Sequence, residues 1–166
     1  MPALRVAAVG DVHAGVDPAS AHRLRQGVAH LGDHADVLLL AGDLTRCGDP
    51  DEARVVADAI GATGVPTAAV LGNHDVHAGR GGEVVDVLAA AGIVVLDRAG
   101  TVFDLPGGRL GVTGAKGFGG GFAGACVTEF GEPEVKVFAR HAVAEADALA
   151  GAMARTAAVG GLGAHV

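Results

Sequence analysis

The sequence predicts an α/β fold built on a parallel sheet, and three observations carry that reading. Apolar, β-rich runs recur at LRVAAVGD (4–11), DVLLLAGD (36–43) and VPTAAVLGN (65–73), about one βαβ unit apart. Within each run the apolar residues do not alternate with polar ones, as expected for strands buried on both faces. Amphipathic segments with helix-start signals fill the intervals.

Taken in order, the first run is a strand ending at Gly10-Asp11. Asp17 and Pro18 then offer an N-cap and a first helical residue, and Leu24, Val28 and Leu31 repeat at helical spacing. The second strand ends at Gly42-Asp43. The following helix opens with Asp49 as cap, Pro50 at its first position and Glu52 placed to close a capping box. It continues through Ala53, Val56 and Ile60 to Gly61. The third strand ends at Gly72-Asn73, and a third helix runs from about Glu83 to Ala91, stopping at Gly92. GIVVLD, TVFDL and RLGVTGA follow as short strands of a second, more antiparallel sheet. GAKGFGGGFAGA should be a loop. From Glu132 a last helix carries Val135, Phe138, Ala142, Ala146, Leu149 and Met153 on one face. The tail TAAVGGLGAHV could begin a further strand.

The 166 residues suit one domain, 1–166. Aromatics are only 3% of the chain, with no Trp or Tyr, so Val, Leu, Ile and Ala must build the core. A net charge of −7 argues against general binding to nucleic-acid backbone. It leaves a phosphate substrate open, because bound cations reverse the local sign. No apolar run reaches the ~18 residues of a membrane span, and the N-terminus lacks a cleavable signal pattern. A cytoplasmic protein is expected. Cys47 and Cys126 are too far apart for a zinc ribbon and read as small buried residues.

The three parallel strands end alike. DVH gives Asp11 and His13, GD gives Asp43, and GNHD gives Asn73, His74 and Asp75. Right-handed crossovers deliver the carboxyl ends of parallel strands to one edge, where open α/β sheets bind ligands. Asp11, His13, Asp43, Asn73 and His74 are therefore expected in one cleft. Two carboxylates, an imidazole and an amide oxygen suit a divalent metal such as Mn, Fe or Zn. Asp43, on the middle strand, is placed to bridge two ions. A pair of ions ~3.5–4 Å apart polarises a phosphoryl group and makes hydroxide available near neutral pH. Asn73 is read as a ligand. His74, next in sequence, points toward the substrate as a proton donor, with Asp75 available to orient its ring.

DVH, GD and GNHD together and in order resemble the calcineurin-like metallophosphoesterases. The pattern of that family is D-x-H, then G-D, then G-N-H-D/E, each at a strand end. GDLTRCGDPDEA and GAKGFGGGF are similar to its bacterial members, so the resemblance extends over nearly the whole chain. It implies an α/β/β/α sandwich of two mixed β-sheets and a dinuclear metal site that hydrolyses phosphomonoesters or phosphodiesters. By motif, Asp11 and His13 hold the first ion, Asp43 bridges, Asn73 holds the second, and His74 is the proton donor. The further histidines of the family, including a G-H-x-H pair, are not found. The chain has no G-H dipeptide, and His165 stands near where the first of these histidines would fall. On this basis the fold is expected to be C-terminally incomplete, with exposed sheet edges.

A metal-dependent phosphoesterase acting on a small phosphorylated molecule is thus the leading reading. The alternatives are a truncated, catalytically impaired metal-binding or interaction protein, and a nucleotide-binding module resting on the G-x-G-x-x-G formed by Gly119, Gly121 and Gly124. That motif is read as a mobile loop overhanging the cleft. Lys116 and Arg46 are the cations nearest the cleft by sequence, and surface positions are the plainer reading for both. His77 is read as a solvated loop residue. His22, His30 and His34 are read as solvent-facing, and His141 as structural.

Overall fold

The computed structural model describes residues 3–122 and 124–160. Four strands, β1 (Val6–Val9), β2 (Val37–Ala41), β3 (Thr67–Val70) and β4 (Val94–Val95), form a parallel sheet in that order. Its register pairs Ala7 with Leu38, Leu40 with Ala69, and Ala69 with Val95. Four helices alternate with these strands: α1 (Pro18–Val28), α2 (Leu31–His34), α3 (Pro50–Gly61) and α4 (Gly81–Ala90). Leu38, Leu40 and Ala69 on one sheet face meet Val56, Ile60, Val84 and Leu88 of α3 and α4, making the core.

A hairpin of β5 (Ala99–Leu105) and β6 (Gly108–Gly114) lies against β3, and α5 (Pro133–Gly160) covers the hairpin. The layers follow as α/β/β/α. Gly114 sits where a Cβ would press on Val70 and Leu96, so the hairpin approaches the parallel sheet closely. β1 is an edge strand among the described residues, and Val6 is 49% exposed.

Several local expectations hold. Asp17 caps α1 by accepting from the Ser20 amide at 2.8 Å, with Pro18 first in the helix. Asp49 caps α3, accepting from the Asp51 amide. Other expectations are corrected. Glu52 closes no box on Asp49: its carboxylate accepts from the Cys47 amide at 2.9 Å, because the chain before the helix turns back over the first turn. GIVVLD supplies β4 to the parallel sheet, and only the next two runs make the antiparallel pair. The Gly-rich segment is mostly loop but contains a small ladder, β7 (Gly121–Phe122) with β8 (Ala125–Cys126).

The inner face of α5 carries Ala139, Glu145, Ala152, Thr156 and Gly160, while Phe138, Ala146 and Met153 are exposed. The reason is close approach. A Cβ on Gly100 of β5 would overlap Thr156, so small side chains must face the hairpin. Residues 156–160 of the tail are helical, and residues 161–166 lie outside the described residues. Cys47 and Cys126 are free and exposed, not buried as expected: Cys47 lies in the loop before α3 and Cys126 in the exposed β7–β8 ladder.

Candidate metal centre

Backbone pairing carries the sheet past its strand ends. The Asp11 amide donates to the Gly42 carbonyl at 3.1 Å, the His13 amide to Asp43 at 2.9 Å, and the Ala14 amide to Leu44 at 2.8 Å. The exits of β1 and β2 thus run side by side, with Asp11 and His13 beside Asp43. Asp11, His13 and Asp43 have φ of 54°, 45° and 50°. Arg98 is the only other non-glycine residue with positive φ among the described residues. This left-handed backbone costs about 1–3 kcal/mol per residue and persists where surrounding structure enforces it, above all at functional sites. Here the ladder enforces it, and Asp11 and Asp43 come to line one cleft while His13 lines a neighbouring depression with Ser20 and Arg23.

Glycine allows the third loop to close on the second. A Cβ on Gly72 would overlap the Asp43 carboxylate, and Gly42, at φ +89°, lies against the Gly72 backbone. The His74 amide consequently donates to Asp43 Oδ1 at 3.0 Å, fixing that carboxylate. One donor atom from each of His13, Asp43 and His74 lies within 4.8 Å of the others. The His13 and His74 rings meet edge to face with centroids 4.5 Å apart. His13 Nε2 lies 3.6 Å from Asp11 Oδ1, and the Asp11 side chain is 83% exposed. His74 Nδ1 is 2.7 Å from the Arg46 carbonyl oxygen. A carbonyl only accepts, so Nδ1–H donates, and in the neutral ring Nε2 keeps a free lone pair.

Asp11, Asp43 and Asn73 line a cleft of about 310 Å³, whose opposite wall is Lys116–Gly119. The structure thus gathers all five predicted residues at the carboxyl edge of the sheet. His74 comes within ligand distance of His13 and Asp43, where the sequence reading sets it apart as a proton donor.

Asp75 does not orient the His74 ring; the Arg46 carbonyl does. Asp75 is fully buried and accepts from the Leu44 and Thr45 amides at 3.2 and 2.8 Å, from Thr45 Oγ1 at 2.7 Å and from the Gly72 amide at 2.8 Å. It clamps the second loop to the third. Arg46 pairs with Asp17 at 3.1 Å and packs over Gly15, away from the cleft, whereas Lys116 stands on the cleft wall. His22, His30, His34 and His77 are exposed. His141 is half-exposed and touches the Phe118 ring. His165 lies outside the described residues. The Gly119–Gly124 motif opens no helix: the β7–β8 ladder follows, and α5 begins only at Pro133.

One carboxylate and two imidazoles at this spacing fit a borderline divalent ion, which takes N and O ligands at about 2.0–2.2 Å. Asp11, whose carboxylate is exposed, and Asn73 line the adjoining cleft with Asp43. An α/β sheet with such a donor set at its carboxyl edge offers a place for a divalent metal. The sequence matches the calcineurin-like phosphoesterase family over residues 4–123. The chain belongs to that family, whose members are hydrolases of phosphoester bonds that typically bind divalent metals. No curated protein matches the sequence.

Proposed function

We propose that the protein hydrolyses a small phosphomonoester or phosphodiester, with Asp11, His13, Asp43 and Asn73 as metal ligands and His74 as proton donor. The observation that carries this is the approach of His13, Asp43 and His74 within 4.8 Å of one another, with Asp43 also lining the cleft. A divalent ion there supplies Lewis-acid polarisation of a phosphoryl oxygen and makes hydroxide available near neutral pH. The residues of the chain do the rest. Asp43, oriented by the His74 amide, would be the central ligand, and it would be the one shared if two ions bind. The Arg46 carbonyl engages Nδ1 of His74 and leaves Nε2 as the nitrogen from which a protonated ring would deliver its proton to a leaving oxygen. Asn73 contributes an amide oxygen from the third loop.

A second reading is that only one ion is held firmly, leaving an impaired catalyst. It is favoured by the finding that, among the described residues, His13, Asp43 and His74 are the one group of this kind. Metal content by elemental analysis, paired with hydrolysis of bis(p-nitrophenyl) phosphate and p-nitrophenyl phosphate, separates the two. About two ions per chain with metal-dependent turnover supports the dinuclear phosphoesterase. One ion with trace turnover supports the impaired form, and no metal with no turnover defeats both. On location, two free and exposed cysteines suit a reducing compartment, and among the described residues no helix is long and apolar enough to cross a membrane. A cytoplasmic location is part of this proposal, and the exposed free cysteines are what support it. The net charge of −7 supports a partner list without general nucleic-acid binding.

A further inference from the structure

A second cavity, of about 370 Å³, opens between β5 and α5 and shares no residue with the metal cleft. Two arginines line it, Arg98 just before β5 and Arg155 on α5, and Val102, Ala152 and Val159 supply an apolar wall. Among the described residues, Arg98 is the one non-glycine residue in left-handed backbone, at φ +52°, that the metal centre does not account for. Such backbone is costly and concentrates at binding and catalytic sites. The carbonyl of this residue accepts from Arg155 Nη2 at 3.4 Å.

The two arginines differ in what they meet. Arg98 Nη2 pairs with Asp97 at 2.8 Å and Nη1 with Glu145 at 3.4 Å, and the Glu145 side chain is only 11% exposed. That guanidinium is held and its charge is balanced. Arg155 meets no carboxylate among the described residues, and its contact is the long bond to the Arg98 carbonyl. Position 151, one turn back on α5, is glycine; a Cβ there would stand 3.2 Å from Arg155 Nη1, so the bare backbone lets the side chain lie back along the helix. One uncompensated positive charge thus stands beside an apolar wall. Its complement is a single negative charge on an aliphatic body. The planar guanidinium matches a carboxylate through two parallel N–H donors. A phosphate dianion is matched less well, because Arg98 is already balanced by two carboxylates.

We propose that the cavity between β5 and α5 binds a small aliphatic carboxylate, its charged end pairing with Arg155 and its chain lying against Val102, Ala152 and Val159. The site is separate from the metal centre and does not depend on the phosphoesterase reading. No bond is made or broken there; the ligand is held and not turned over.

Titration of the whole chain with sodium butyrate, followed by the magnetic resonance shifts of its backbone amides, tests this. Acetate and inorganic phosphate are the comparison ligands, and the series is run as purified and after metal stripping. Butyrate should shift the amides of residues 98–102 and 152–159 saturably, and to the same extent in both preparations. Acetate, two methylenes shorter, should bind about tenfold more weakly. Phosphate should leave these amides unmoved in the stripped chain. Arg155→Gln should weaken butyrate by about tenfold or more, the usual worth of a hydrogen bond to a charged group. Val159→Asp, at a position 78% exposed, sets a like charge at the cavity and should also weaken binding; it serves if Arg155→Gln fails to fold. The absence of saturable shifts, shifts confined to the loops of Asp11, Asp43 and Asn73, or wild-type affinity in both variants would overturn the inference. Equal affinity for butyrate and acetate, or for butyrate and phosphate in the stripped chain, would overturn it as well.

Discussion

Replacing Asp75 by Ala should be among the most damaging single changes in the chain, although Asp75 is not placed on the metal. Its carboxylate receives four hydrogen bonds in a fully buried position. Three of the donors are backbone amides, of Leu44, Thr45 and Gly72, and Ala offers them nothing. A buried donor left unpaired costs about 1–3 kcal/mol. Water entering the vacated space holds the total near the low end, about 3–5 kcal/mol, against a usual domain stability of about 5–15 kcal/mol. At about 2–4 °C per kcal/mol for a chain of this size, the melting temperature should fall by about 10 °C. Asp75→Asn should fare little better, because its NH₂ must face at least one amide N–H. Thr45→Val removes a single donor and should cost only about 1 kcal/mol. Thermal unfolding followed by far-ultraviolet circular dichroism reads all three. The folded fraction of Asp75→Ala should also lose metal, because the clamp holds the Asp43 loop against the His74 loop. Melting temperatures within about 2 °C of wild type for both Asp75 variants would refute the clamp.

Asp43→Ala should lose more bound metal than Asn73→Ala by elemental analysis, since Asp43 stands between the other donors; wild-type metal content in Asp43→Ala would end the bridging assignment. His74→Asn should leave metal content nearly unchanged and lower turnover by about 10²–10⁴-fold, the usual worth of a general acid. Metal loss equal to that of Asp43→Ala would instead make His74 a ligand, as its distance to His13 and Asp43 permits. Gly72→Ala should fold poorly or bind metal weakly, because its Cβ would overlap the Asp43 carboxylate; unchanged metal content and melting temperature would show that the third loop has room to move. The Arg5 side chain, hydrogen-bonded to Asp36, holds the Asp36 carboxyl below the usual carboxylate range. A lowered folded pKa means stability present above the unfolded value of ~3.9 and lost as pH falls through the folded value. The melting temperature of wild type should thus exceed that of Asp36→Asn at pH 7, with the gap closing below about pH 4; a gap constant from pH 7 to pH 3 would dismiss the pairing.

The sequence by itself determined the alternation of strands and helices, the parallel order of the first sheet and the edge at which Asp11, His13, Asp43, Asn73 and His74 meet. Local physics suffices there. Apolar runs define buried strands, Asp-Pro pairs start helices, and right-handed crossovers send every strand end to the same side. The capping of α1 by Asp17 was legible for the same reason: cap and helix are adjacent in sequence. Tertiary structure decided whatever depends on partners distant in sequence. Glu52 has two amides within reach, and the fold of the preceding loop gives it Cys47. The inner face of α5 is set by how closely Gly100 lets the helix approach, so small residues displaced Phe138 and Met153 from the interior. Asp75 reads as one more polar residue in a metal motif, yet the 31 positions between it and Leu44 close into a buried clamp. Phe118 gave no signal of its own within a glycine-rich run. Its place at the cleft comes from Phe138 and His141, which only the docking of α5 brings alongside. Side-chain period and turn chemistry act over a few residues and are written in the sequence, whereas close approach and burial are properties of surfaces that meet only in the folded chain.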